Sequence, residues 1–187
     1  MAHVLILGTG GTIAGTGHDP ARAWAYQAAQ LGVGQLVAAV PELAGLPLVM
    51  QQVAQIDSKD MSWSVWQALA QALQAAMQDA AVEAVVITHG TDTLEETACL
   101  LHHLHDGRKP IVLTAAMRPA TAADADGPVN LRDAVRVARE AARLGLGGVV
   151  AVLQGRVWSG AAVRKAHSHA LDAFDAGGAL PLAVLDD

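Results

Sequence analysis

The stretch Val85-Val86-Ile87-Thr88-His89-Gly90-Thr91-Asp92-Thr93-Leu94-Glu95-Glu96-Thr97 constrains the fold of this chain more than any other. An apolar run that meets a glycine, a hydroxyl–carboxylate pair and then a helix-forming segment reads as a buried strand turning sharply into a helix. α/β proteins hold reactive side chains at the carboxyl ends of such strands, so Thr91 and Asp92 are expected in a crevice there. Thr93 and Glu96 have the spacing of a capping box, which assigns Glu96 to the backbone N–H groups of the new helix rather than to chemistry.

The remaining chain repeats this alternation. His3 to Leu7 reads as a strand, and Pro47 to Ile56 as a second one ending in Asp57-Ser58-Lys59-Asp60. Between them Gln35 to Val40 reads as a short helix before Pro41. Trp66, Leu69, Ala70, Leu73 and Met77 have helical spacing within Ser62 to Gln78, so this aromatic and methionine stripe is core rather than a cofactor box. Pro110 to Thr114 is a strand ending in Ala115-Ala116-Met117-Arg118-Pro119. Asn130 is expected to cap a helix that buries Leu131, Ala134, Val135 and Ala138 and stops at Gly145. Val149 to Leu153 is another strand, Arg156 to Val163 reads as a hairpin turning at Ser159-Gly160 with Lys165 just after it, and Pro181 to Leu185 is a last short strand. The expected architecture is one α/β domain over residues 1–187. It has a doubly wound, mainly parallel sheet with helices on both faces, of the Rossmann-like or flavodoxin-like kind, and a C-terminal hairpin. Thr12, Ser58, Thr91-Asp92 and the Ala115-Ala116 turn would then share one edge.

Composition narrows the partners. With 52% apolar and 16% charged residues, 187 residues can bury a sizeable core, and the segment is not of disordered type. A formal charge of −6 gives no general electrostatic reason to bind nucleic acid or an anionic membrane, so a small molecule is the expected partner. No apolar run is long enough for a bilayer, and the strand at His3 leaves no signal-type segment before it; cytoplasmic residence is expected. The single cysteine, Cys99, cannot form an intramolecular disulfide and reads as a buried small hydrophobe.

Gly8-Thr9-Gly10-Gly11-Thr12-Ile13-Ala14-Gly15 lets the backbone turn tightly and approach a ligand. A dinucleotide fingerprint needs glycine where Ile13 stands and a helix at once, and a phosphate-binding lysine is absent, so nucleotide binding is disfavoured. Residues 16 to 28, which include Tyr26, read as a flap over the crevice. His102, His103, His105, His167 and His169 lack a complete ligand set, so neither a metal nor any other cofactor is expected. Thr91, Asp92 and Lys165 can form a relay in which lysine activates a hydroxyl and Asp92 orients the lysine, while N–H groups near Thr12 can face a developing oxyanion. That combination points to acyl transfer.

At these residues the chain resembles the bacterial-type L-asparaginases. Two family signatures stand as Leu7-Gly8-Thr9-Gly10-Gly11-Thr12-Ile13-Ala14-Gly15 and Ile87-Thr88-His89-Gly90-Thr91-Asp92-Thr93-Leu94-Glu95-Glu96-Thr97-Ala98, supported by Asp57-Ser58, Ala116-Met117-Arg118-Pro119, Asp126-Gly127-Pro128, Asn130-Leu131 and the segment ending in Lys165. The resemblance implies hydrolysis of L-asparagine to L-aspartate and ammonia through an acyl-enzyme on Thr12, with Tyr26 as the flap tyrosine and Thr91, Asp92 and Lys165 as the second catalytic group. It implies substrate contacts from Gly11, Asp57, Ser58, Gly90, Thr91, Asp92 and Ala116, with Ser58 and Asp92 holding the α-carboxylate and α-ammonium. Lys59 departs from the family, standing where many members carry a glutamine that helps hold the α-amino end. The chain also ends before the family's smaller C-terminal domain, which lends residues to a neighbouring subunit. The final strand, Leu182 to Leu185, is expected to leave an apolar edge, so a homo-oligomer is expected. Two further readings remain open. One is an asparaginase-like binding or assembly module that needs a partner for turnover, and the other is an ammonia-releasing amidotransferase subunit.

Overall fold

The computed structural model describes residues 2–19 and 25–186. Its centre is the pair of strands β1 (His3–Gly10) and β5 (Val82–Thr88), which run parallel and are buried on both faces. Alternation along each strand divides the core in two. Leu5, Leu7, Val85 and Ile87 point to one face, where they meet Leu69 and Leu73 of α2 (Trp63–Gln78) and Leu94, Ala98 and Leu101 of α3 (Leu94–Leu104). Val4, Ile6, Ala84 and Val86 point to the other, against Val33 and Leu36 of α1 (Val33–Ala38) and Leu131, Ala134, Val135 and Ala138 of α4 (Gly127–Arg143).

Around that pair lie β4 (Leu48–Ile56), β6 (Pro110–Thr114), β7 (Gly148–Leu153), β8 (Arg156–Ser159) and β11 (Ala183–Val184). The order is β11-β8-β7-β6-β5-β1-β4, with the five strands from β4 to β7 parallel and the last two antiparallel. This is the expected doubly wound, mainly parallel α/β sheet. From β1 the chain goes first to β4 on one side and then to β5 on the other, so the sheet reverses its order between β1 and β5 and the crevice lies at the carboxyl ends of these strands. Two short ribbons flank the sheet: β2 (Thr16–Gly17) with β3 (Tyr26–Gln27), and β9 (Arg164–Lys165) with β10 (Phe174–Asp175). Residues 20–24 of the expected flap lie outside the described residues.

Four local expectations are corrected. The hairpin turns at Gln154-Gly155, both at positive φ (49° and 66°), and pairs β8 back onto β7, whereas Ser159 is a paired strand residue opposite Val150. Asn130 lies inside α4 rather than at its cap, a position taken by Asp126. Its side-chain amide donates to Ala115 O (3.0 Å) and its oxygen accepts from Gln154 N (3.0 Å), which joins α4 to two strand-end turns. Cys99 is exposed, because the buried stripe of α3 runs through Leu94, Thr97, Ala98 and Leu101 and the next residue is rotated away from it. The capping box does not form. Thr93 makes no cap bond and instead donates its hydroxyl to Ser58 O (2.9 Å), while Glu96 is exposed.

Candidate active site

Three strand-end loops meet at the crevice with no room for side chains between their backbones. Gly11 follows β1 with φ +81°, and a Cβ there would stand 2.3 Å from Gly90 Cα. A Cβ on Gly90, after β5, would stand 2.4 Å from Ser58 Oγ, after β4. Glycine is therefore required at both positions by close approach, and at Gly11 by conformation as well. Thr12 and Thr91, the next residues in their loops, consequently come off two touching turns.

Thr12 opens a short 3-10 turn (Thr12–Ala14), after which the chain becomes extended rather than helical. Its hydroxyl is 2.7 Å from Tyr26 OH, and the two are the same hydrogen-bonded pair whichever one donates. The base of the flap is tied down by Gly17 N donating to Thr121 Oγ1 (2.8 Å) and Ala120 N donating to Gly15 O (2.9 Å).

Thr91 is buried at the start of the turn leading into α3. Lys165 Nζ donates to Thr91 Oγ1 (2.8 Å) and to Asp92 Oδ1 (2.6 Å). Lys165 is 17% exposed and Asp92 52%, so the pair straddles the crevice surface with the ammonium on its inner side. Because Lys165 donates to Thr91, the threonine's own proton remains available to a further acceptor. Ser58 Oγ accepts from Asp92 N (3.2 Å), which leaves its O–H to donate as well. Ala116 is wholly buried in the turn after β6, whose Met117 and Arg118 amides donate to the Asp126 carboxylate (2.9–3.1 Å).

Of the residues marked in the sequence, Thr12 with Tyr26, and Thr91, Asp92, Lys165 and Ser58 together, are joined directly; Gly11 and Gly90 form the contact beneath them. Asp57 is not joined to this group by its side chain, both of whose oxygens accept from Lys59. Lys59 is exposed, with Nζ 2.9 Å from Asp57 and 3.0 Å from Asp60. Hydrogen bonds to Asp57 and then Asp60 raise its pKa to about 12. Among the described residues no group of three or more His, Cys, Asp or Glu is placed to hold a metal ion. An open cleft of about 590 Å³ beside the Gln154-Gly155 turn, lined by Asp126, Asn130, Asp133 and Arg136, receives none of Thr12, Tyr26, Thr91, Asp92 and Lys165.

Two supports of the site were not foreseen. His89 is wholly buried directly before Gly90, with Nδ1 2.8 Å from Gly90 O and Nε2 3.0 Å from Thr97 Oγ1, which also accepts from Trp66 Nε1 (2.9 Å). Burial lowers the His89 pKa to about 4, opposed in part by the Gly90 carbonyl. The ring is therefore neutral at pH 7, donating from Nδ1 and accepting at Nε2 from the Thr97 hydroxyl. The second support is Glu95, whose Oε2 accepts the Lys165 backbone N–H (2.5 Å). The signal for the first was a Trp within an apolar stripe, whose N–H needs an acceptor when buried. No local pattern marks the second.

Comparison with known proteins agrees with this arrangement. The family profile described as "Asparaginase, N-terminal" matches residues 3–187. The chain is similar to "Probable L-asparaginase periplasmic" of Haemophilus influenzae (45% identical, over 81% of this chain and 43% of that protein). It is also similar to "Glutaminase-asparaginase" of Pseudomonas fluorescens (42%, 93% and 48%). The chain thus spans a little under half the length of these curated relatives. The crystal structure titled "Probable Cytoplasmic L-asparaginase" from Campylobacter jejuni superposes with a TM-score of 0.95 at 36% identity, over 100% of this chain and 57% of that one. A profile match over nearly all of its length, together with this fold and two threonines on touching strand-end turns, assigns the chain to the asparaginase family.

Proposed function

We propose that this region carries the threonine nucleophile and proton-transfer group of an amidohydrolase that converts L-asparagine to L-aspartate and ammonia. The observation that carries the reading is the juxtaposition of Thr12–Tyr26 and Thr91–Asp92–Lys165 on loops that touch through Gly11 and Gly90. Thr12 Oγ1 attacks the side-chain amide carbon while Tyr26, hydrogen-bonded to it, helps remove its proton. Backbone N–H groups of the glycine-rich turn face the oxygen that becomes charged. The carbon–nitrogen bond breaks, and the departing nitrogen takes up one proton through the Thr91–Lys165 pair to leave as ammonia, while the proton that Thr12 gave up replaces the one the pair delivered, so the step is proton-neutral. Water, oriented by Thr91, then cleaves the Thr12 ester, giving aspartate and restoring the hydroxyl. Ser58 donates to the α-carboxylate of the substrate. Asp92, with one oxygen on Lys165, offers the other to the α-ammonium.

The names of the relatives support asparagine as substrate, and the Pseudomonas protein's name includes glutamine. No helix among the described residues is long and apolar enough to cross a membrane. Ammonia release from L-asparagine tests the proposal, with Thr12→Ala, Thr91→Val and the double variant measured in parallel. Each single change removes nearly all turnover without unfolding the chain, and the double variant resembles the worse single one, because residues that act as a unit are not additive. Wild-type turnover in Thr12→Ala overturns the nucleophile assignment.

A further inference from the structure

Lys165 has an unusual foothold for a residue on which proton transfer depends. It sits on β9, two residues long and outside the main sheet, which among the described residues pairs with β10 alone. A four-carbon side chain places its ammonium reproducibly only where its own backbone is fixed. Within the ribbon Ala166 N and His167 N both donate to Ala173 O, while the Lys165 N–H points out of the ribbon to Glu95 Oε2. The neighbouring side chain, Arg164, is taken up by Asp175 on β10, with Nε 2.6 Å from Oδ1. Glu95 is therefore the polar tie between the backbone of Lys165 and the sheet's catalytic edge.

The sequence spacing explains how one turn can do this. Asp92 and Glu95 are three residues apart where the 3-10 turn Thr91–Thr93 runs into α3, so both carboxylates project from one rigid start of a helix. Asp92 holds the ammonium and Glu95 the amide of the same residue, 73 and 70 positions away in the chain. We propose that Glu95 is a positioning residue that fixes the root of Lys165, so that its ammonium reaches Thr91 and Asp92 together. This rests on the reading that Lys165 serves the Thr91 hydroxyl in turnover. The plainer alternative is that Glu95 only complements the helix N-terminus and Arg164, to which its charge also extends.

Three substitutions separate the two. Glu95→Ala removes charge and acceptor, Glu95→Gln keeps an acceptor oxygen, and Glu95→Asp keeps the charge but falls one methylene short of the amide. Loss of a charge-assisted hydrogen bond at this point lowers kcat about 10- to 100-fold in Glu95→Ala and Glu95→Asp, with KM changed less than about twofold, while Glu95→Gln stays within about fivefold of wild type. Placed in a Lys165→Ala background, Glu95→Ala adds no further loss. Amide hydrogen exchange provides a readout independent of turnover: the Lys165 N–H is protected in wild type and Glu95→Gln and exchanges fast in Glu95→Ala and Glu95→Asp. A Lys165→Ala variant with wild-type turnover defeats the underlying role of Lys165. Loss of turnover in Lys165→Ala, beside unchanged kcat and unchanged Lys165 protection in Glu95→Ala, overturns the proposal for Glu95 alone.

Discussion

Acid should destabilise this fold through His89 before it protonates the folded ring. The imidazole is wholly buried, and its pKa falls from the ordinary 6.5 to about 4. Above pH 6.5 both folded and unfolded chains carry it neutral, and its contribution to stability is fully present. As pH falls from 6.5 toward 4 the unfolded chain takes up a proton that the folded chain refuses, so stability declines across that window and levels off below it. A pKa difference of this size corresponds to about 3 kcal/mol, a substantial part of the roughly 5–15 kcal/mol that holds a domain together. In a chain of this length it lowers the melting temperature by roughly 6–12 °C. Other groups titrate in the same range, so the contribution is isolated by comparing wild type with His89→Gln, which replaces the ring by an amide that does not titrate. Denaturant midpoints at pH 7.5, 6.5, 5.5 and 4.5 should fall more steeply in wild type. Parallel profiles for the two proteins would refute the argument, because they would mean that the folded ring protonates as easily as the free one.

Gly11→Ala should abolish ammonia release and cost more than about 2 kcal/mol in a urea titration, since a methyl group 2.3 Å from Gly90 Cα at φ +81° has no unstrained place; a near-wild-type midpoint with activity retained would contradict the contact between the two turns. The edge formed by β11 carries exposed Leu180, Leu182 and Val184, and β4 leaves Val49 and Met50 exposed at the opposite edge, so self-association is expected. Light scattering at micromolar concentration checks this, and a monomer counts against it.

The architecture was legible because parallel strands buried on both faces leave a strong mark. Val4 to Leu7, Val85 to Ile87 and Ile111 to Leu113 are unbroken apolar runs, and the helical stripes between them have a different period. Sequence pattern and structure part where two turn signals compete or where one residue of helix rotation decides burial. Ser159-Gly160 is as good a turn pair in composition as Gln154-Gly155, and only the pairing of β8 with β7 selects the latter. Cys99 lies in a helical pattern, yet the stripe through Thr97 and Ala98 turns it outward. Asn130 has the chemistry of a cap and is used instead as a cross-brace, because α4 begins three residues earlier at Gly127.

The proposed reacting groups and the residues that support them differ in how sequence encodes them. Thr12, Ser58 and Thr91-Asp92 follow strands directly, and topology brings strand ends together wherever a doubly wound sheet reverses its order. Trp66–Thr97 and Glu95–Lys165 join residues 31 and 70 positions apart, and such bonds depend on how two elements are set against each other rather than on either element's own pattern. Both supports nevertheless end in one short segment. His89 braces the carbonyl of Gly90, Asp92 and Glu95 grip Lys165 at head and root, and Thr97 closes the buried chain to Trp66. Between residues 89 and 97, then, the start of α3 presents Thr91 and fixes the groups on either side of it. That segment can carry so many roles because Leu94, Ala98 and Leu101 anchor its opposite side in the same close-packed core cluster as Val85 and Ile87 of β5 and Leu69 and Leu73 of α2.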